Sequence, residues 1–145
     1  MVSHTEPILH RWTLLLLAWI VALGATAGAL FIGEVMGMTP CVLCWYQRIF
    51  MFPIAIVLGL ACLREDRSGA VYALALALCG TGVALYHTLL VEGVIPKAWI
   101  PCGTGVSCAD QKLEILNGIQ IPWLSLVAFV VIVSLLVVSL RKTTP

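Results

Sequence analysis

Residues 12–32 read WTLLLLAWIVALGATAGALFI, a run without a single charged side chain. A bilayer core about 30 Å thick needs roughly 20 apolar residues at about 1.5 Å rise each, so this stretch is long enough to cross once as a helix. Three more runs have the same character. Residues 45–63 are interrupted only by the charge of Arg48, residues 70–91 only by His87, and residues 123–140 by nothing. With 61% hydrophobic and 10% charged residues and a mean hydropathy of +1.07, the chain lies outside the soluble globular range. A formal net charge of +1 excludes the basic surface that nucleic acid would require and points to no acidic substrate. The expected fold is all-α: one integral membrane domain over 1–145, a four-helix bundle with outer loops at 33–44 and 92–122.

Charge placement orients it. Arg11, Arg64, Arg67, Arg141 and Lys142 flank one side, while the other holds Lys97, Lys112 and Arg48 at a helix start. The positive-inside bias therefore predicts both termini in the cytoplasm and both long loops outside. The first run also has the outline of a signal peptide, with a cleavage-like Ala25-Thr26-Ala27, but it stays apolar past that site to residue 32. Gly24 and Gly28 instead form a G-x-x-x-G step expected to let a neighbouring helix approach. Thr39 before Pro40 predicts an N-cap with proline in the first helical position, and Pro122 is expected to open the fourth span similarly. In 109–119, Leu113, Leu116 and Ile119 are at helical spacing, which allows either a short interfacial helix or a polar loop.

Six cysteines divide into two kinds. Cys62 and Cys79 lie within spans and read as small buried hydrophobes. Cys41-x-x-Cys44 stands at the mouth of the second span, and Cys102 and Cys108 share the second outer loop; both pairs fall on the expected outer face, where disulfides persist. A C-x-x-C in a helix's first turn sits at the positive end of the macrodipole, which favours thiolate and hence exchange. Cys44 and Arg48 are spaced i and i+4 and so share a face, where the guanidinium can stabilise an anion. Insertion of a central intramembrane arginine costs about 2.5–3.5 kcal/mol. Near a span's end, snorkelling is the plainer explanation, as a carbonyl-bonded core histidine is for His87. Both residues nevertheless lie roughly 4–6 Å below the same surface at about 1.5 Å per residue, so antiparallel neighbours would bring them to one pocket. A membrane quinone, with its ring at the interface and its tail in lipid, meets the needs of such a pocket.

"PCVLCWYQRIFMFP" (40–53), Tyr86-His87 in the third run and "IPWLSL" (121–126) together resemble the disulfide bond formation protein B family, over essentially the whole chain. The five-residue separation of the second pair is similar to the short form, disulfide bond protein C. The resemblance implies a membrane thiol:quinone oxidoreductase in the bacterial cytoplasmic membrane, its cysteine loops facing the periplasm or cell exterior. It implies an extracytoplasmic thioredoxin-fold thiol oxidase, DsbA-like, as partner, re-oxidised through Cys102 and Cys108. Cys102 is the expected point of attack. Electrons then pass to Cys41 and Cys44 and on to ubiquinone or menaquinone beside Arg48 and His87. A rival reading joins the four outer cysteines into a metal-binding or metal-transport site; a cation such as Arg48 beside thiolate ligands opposes it. No resident metal is expected. The vitamin K epoxide reductases also couple thiols to quinones, but their C-x-x-C placement does not match "CVLCWYQR".

Overall fold

The computed structural model describes residues 5–96, 99, 114–115 and 119–141. Among the described residues there are four long helices: α1 (Thr5–Leu30), which continues into a π-helical turn (Phe31–Val35), α2 (Val42–Arg64), α3 (Arg67–Val91) and α4 (Ile121–Arg141). Stretches of all four are long and apolar enough to cross a membrane, the first running His10–Val35. Each helix packs on its chain neighbours, and α1 closes the ring against α4. The expected four-helix membrane fold is the observed one, with helices that run past the ends of the apolar stretches.

The inside of the ring combines small side chains with large ones, Leu15, Ile54, Leu58, Phe129, Ile132 and Leu136 being buried as well. Ala18, Ala22, Ala73, Ala77 and Ala84 are fully buried, whereas Ile20, Ile56, Leu60, Leu63 and Leu78 are exposed on the outer face. Lipid tails are as apolar as leucine, so burying leucine gains nothing over leaving it to lipid. Close backbone approach then decides where the small residues go. Gly80 shows how tight the approach is: a Cβ there would overlap the Phe129 ring, so α3 and α4 meet at this pair. Between α1 and α2, a Cβ on Gly59 would lie 2.9 Å from Trp19 Nε1, and that indole donates 3.0 Å to the Ala55 carbonyl. Two hydroxyls inside α3 are satisfied locally, Thr81 donating to the Ala77 carbonyl at 2.7 Å and Thr88 to Ala84 at 2.9 Å.

Four expectations are corrected. A Cβ added at Gly24 or Gly28 would meet nothing within 4 Å, so these glycines bring no helix close; they leave space instead. Helix α2 begins at Val42 with Cys41, not Thr39, as its N-cap, the sulfur accepting from the Cys44 backbone N–H at 3.4 Å. Cys62 is buried but Cys79 is exposed, on the outside of α3, where lipid rather than protein covers a span. Between α3 and α4, Glu114 and Ile115 pair antiparallel with Gln120 and Ile119, which replaces the helical alternative for those residues with a two-rung ladder. Cys102, Cys108, Lys97, Lys112, Leu113 and Leu116 lie outside the described residues.

The short turn between α2 and α3 places Glu65 in the left-handed region, φ 50°, and uses Asp66 as the N-cap of α3. Its carboxylate accepts from the backbone N–H of Ser68 at 2.9 Å and of Gly69 at 3.2 Å. The Ser68 bond first, with help from Gly69 and nearby Arg11, holds the Asp66 carboxyl below the usual carboxylate range. A carboxyl depressed in the folded state adds stability above its unfolded value, about 3.9, and loses it as pH falls through the folded one. Asp66→Ala should therefore lower the thermal midpoint of the detergent-solubilised protein at neutral pH. The gap from wild type should close below about pH 4. A constant gap down the whole acid range would show that the charge contributes nothing.

Candidate functional site

The site is assembled at the end of the bundle where α2 begins and α3 finishes. As N-cap, Cys41 turns its sulfur inward over the first turn of α2, and Cys44, three residues on, comes round beneath it. Their sulfurs are 3.2 Å apart, with the Cys41 thiol donating to Cys44. Cys41 is buried and Cys44 half-buried. That hydrogen bond to Cys44 first, and burial second, push the Cys41 thiol up to about 12, with a bond to His87 pulling the other way. Cys41 therefore keeps its proton at neutral pH.

On the α1, α2 and α4 side of the pair lies a cavity of about 370 Å³. Its walls are almost wholly apolar, including Val21, Ile32, Met51, Phe52, Leu124 and Phe129; its polar end is Cys44, Gln47 and Arg48. The cavity exists because α1 presents Gly24, Ala25, Gly28 and Ala29 to it, residues too short to fill the gap. This volume and lining are those of a small-molecule site, apolar with a few polar groups at one end.

Arg48 does not simply reach for water. Its Nη2 donates 2.7 Å to the Ala29 carbonyl on α1, and its guanidinium carbon is 5.4 Å from the centroid of the Trp45 ring. Gly33, in the π-helical turn, makes room for it: a Cβ at that position would lie 3.0 Å from Arg48 Nη2. Arg48 and Cys44 share the expected face, and both line the cavity.

His87 is placed differently. It is buried, with Nδ1 3.2 Å from Gln47 Nε2 and Nε2 3.8 Å from Cys41 Sγ, and it does not line the cavity. The structure thus brings His87 to the cysteine pair, on the α3 side of α2, and Arg48 to the cavity on the α1 side. They flank one centre from two sides rather than meeting in one pocket. Ligand-type atoms of Cys41, Cys44 and His87 fall within 4.8 Å of one another. A divalent metal among them would add positive charge beside Arg48, and the four-thiol version of that reading needs Cys102 and Cys108.

Sequence reasoning missed Gln47 and Gly33. Gln47 carried a signal: it is an amide inside an apolar run, next to Arg48 and three residues after Cys44. Gly33, just beyond the first apolar run, carried none.

A ring of four membrane-spanning helices with a C-x-x-C pair capping one of them, beside a buried histidine, defines a membrane protein of disulfide formation. The chain belongs to the family described as "Disulfide bond formation protein DsbB", which it matches over residues 10–139. It is 50% identical to a "Probable disulfide formation protein" of Metapseudomonas resinovorans, across 98% of this chain and 99% of that one. It is 37% identical to "Disulfide bond formation protein C" of Bacillus subtilis (strain 168), across 86% of this chain and 90% of the relative. A "Probable disulfide formation protein" of Chlamydia trachomatis is 39% identical over 88% of this chain and 93% of the relative. No solved structure matches.

Proposed function

We propose that the protein is a thiol:quinone oxidoreductase that re-oxidises an extracytoplasmic thioredoxin-fold, DsbA-like thiol oxidase. The observation that carries this reading is the junction of Cys44 with an apolar cavity that has a guanidinium at its polar end. The cavity fits a quinone: an apolar chamber for ring and isoprenoid, the Arg48 cation near the carbonyl end, and Cys44 within the lining. A quinone held there supplies a two-electron acceptor of high enough potential to keep an oxidising partner oxidised.

The chain's own residues do the rest. Cys102 and Cys108 receive the partner's electrons by thiol–disulfide exchange, and Cys102 forms the mixed disulfide. The loop thiolate then attacks the Cys41–Cys44 disulfide at Cys41, and Cys44 leaves as thiolate on the cavity side. Arg48 stabilises that negative charge in an apolar, low-dielectric surrounding. Capping of the helix by Cys41 also sets the pair at the positive end of the α2 dipole, which favours the same anion.

The end carrying Arg11, Arg64, Arg67 and Arg141 lies in the cytoplasm, and the cysteine end faces the periplasm or cell exterior of the bacterial cytoplasmic membrane.

The purified protein tests the reading directly. Added ubiquinone or menaquinone should give a visible charge-transfer absorbance with the Cys44 thiolate that is absent in Cys44→Ser. A reduced thioredoxin-fold oxidase should then be re-oxidised with one quinone consumed per disulfide. Disulfide formation that proceeds at full rate with no quinone present would sink the proposal, and stoichiometric bound metal in the reduced protein would favour the metal reading.

A further inference from the structure

The cavity beside Cys44 is deep. Its lining runs from Ile121 to Phe129 along α4 and from Cys44 to Phe52 along α2, in each case about 12 Å at about 1.5 Å per residue. Cys44 and Arg48 mark the outer end, and Phe52, Phe129 and Val21 of α1 the inner one. A quinone ring beside Arg48 fills the outer part, which leaves the inner part to the first units of its isoprenoid tail.

Phe129 stands at that inner end with its ring shared between two surroundings. It lines the cavity, and an edge of the ring lies in a notch on α3 at Gly80, where a Cβ would come within 2.8 Å of Cδ1 and closer still to Cζ and Cε1. Ala77 and Ala84, about one turn to either side of Gly80, are fully buried, so at the level of Phe129 the inner face of α3 lacks a side chain. Tight packing of α3 on α4 alone would be met equally by alanine facing a smaller partner. The pairing found instead sets a large, rigid ring between α3 and the cavity, so that whatever stands at position 80 is felt at the cavity's inner wall.

The direction of that effect follows from where space is. Phe129 is fully buried in a cluster with Ile54, Leu58, Ala77 and Ile132, and the free volume it borders is the cavity. Close-packed side chains give little, whereas a cavity offers no resistance. A ring pushed out of the notch therefore turns into the cavity and shortens it from the inner end.

We propose that Phe129 is a specificity-determining residue, the wall against which the first isoprene unit of the quinone packs, and that Gly80, behind the ring, is the positioning residue that holds this wall back. The inference deepens the reading of the cavity as the quinone site and rests on it.

Equilibrium dialysis of the full chain, depleted of quinone in detergent, against ubiquinone heads carrying no, one or two isoprene units tests this. Partition into micelles is measured without protein and is common to every variant. Beyond that partition, wild type should bind the one-unit quinone about tenfold more tightly than the bare ring, the gain that the five carbons of an isoprene unit supply. Gly80→Ala should lose that preference. Gly80→Ala/Phe129→Leu, in which the smaller side chain clears the new methyl, should regain it. Phe129→Trp, which extends the wall into the cavity with Gly80 in place, should lose it as well, and this arm decides the matter if Gly80→Ala does not fold. A role in helix packing alone would move the thermal midpoint of Gly80→Ala and leave the preference for the tail untouched. That result, or a preference kept in Phe129→Trp, would overturn the proposal. Failure of wild type to bind any of the three quinones would instead sink the quinone reading itself, so the two failures are told apart.

Discussion

Replacing Arg48 with glutamine should slow quinone-dependent oxidation of the partner dithiol by roughly 1.5 to 3 decades, a loss of about 2–4 kcal/mol of transition-state stabilisation. The guanidinium is fixed by the Ala29 carbonyl and the Trp45 ring at the polar end of an apolar cavity, so its charge is neither solvated away nor free to move. A fixed cation in such a place acts most strongly on negative charge that grows during reaction. Glutamine keeps a polar side chain but loses the charge. Lysine keeps the charge but loses the planar fork that bonds Ala29 and lies over Trp45, so Arg48→Lys should fall between the two.

Arg48 also ties α2 to α1, and loss of that tie is a second consequence that has to be separated from the first. Two measurements do so. The thermal midpoint reports the tie, and stoichiometric oxidation of the partner dithiol without quinone reports the cysteine exchange, which should survive in both variants. Quinone kinetics close to wild type in Arg48→Gln, with a lowered midpoint, would mean that the arginine serves only to hold the helices together.

How much of this was legible in the sequence depends on what kind of force places each residue. The four spans were, because crossing a bilayer is a matter of length and hydropathy summed over a run, and no partner is needed to read it. Which face of each span turns inward was not read, because the usual alternation of apolar and polar vanishes when lipid replaces water. A signal was nevertheless there: Ala70, Ala73, Ala77, Gly80, Ala84 and His87 recur at three- and four-residue steps along α3, and each is buried. On α3 small residues mark the interior, whereas α2 and α4 turn Ile54, Leu58, Phe129, Ile132 and Leu136 inward. Cys44 and Arg48 fall on one face by helical spacing alone. For His87, depth suggests the same pocket, but depth along a helix says nothing about rotation around it, and the side of α2 it reaches is fixed by how α3 packs. Gly24 and Gly28 mislead for a related reason. A glycine pair permits close approach without requiring it, and only the neighbouring helices decide whether the space is filled.

That unfilled space supports the last prediction. Neither Gly24 nor Gly28 has an atom within 4 Å of the position a Cβ would take, and both line the cavity. A side chain started at either position therefore meets no protein at its Cβ and extends into the cavity. Leucine's helix propensity exceeds glycine's by roughly 0.5–1 kcal/mol per site, so the double variant with leucine at both should fold at least as well as wild type. What it displaces is ligand. Two leucine side chains add eight carbons to the cavity wall, and at roughly 0.3 kcal/mol per ligand atom excluded the quinone should lose about 2–2.5 kcal/mol, or about fiftyfold in affinity. Gly82→Leu is the control, since Gly82 on α3 is equally open but does not line the cavity. Titration of quinone-depleted protein should show weakened binding in Gly24→Leu/Gly28→Leu and none of that loss in Gly82→Leu. Exchange between the partner and the cysteine pairs, measured without quinone, should be the same in all three. Wild-type quinone affinity in the double variant would place the quinone elsewhere, and with it the charge that Arg48 is held to meet.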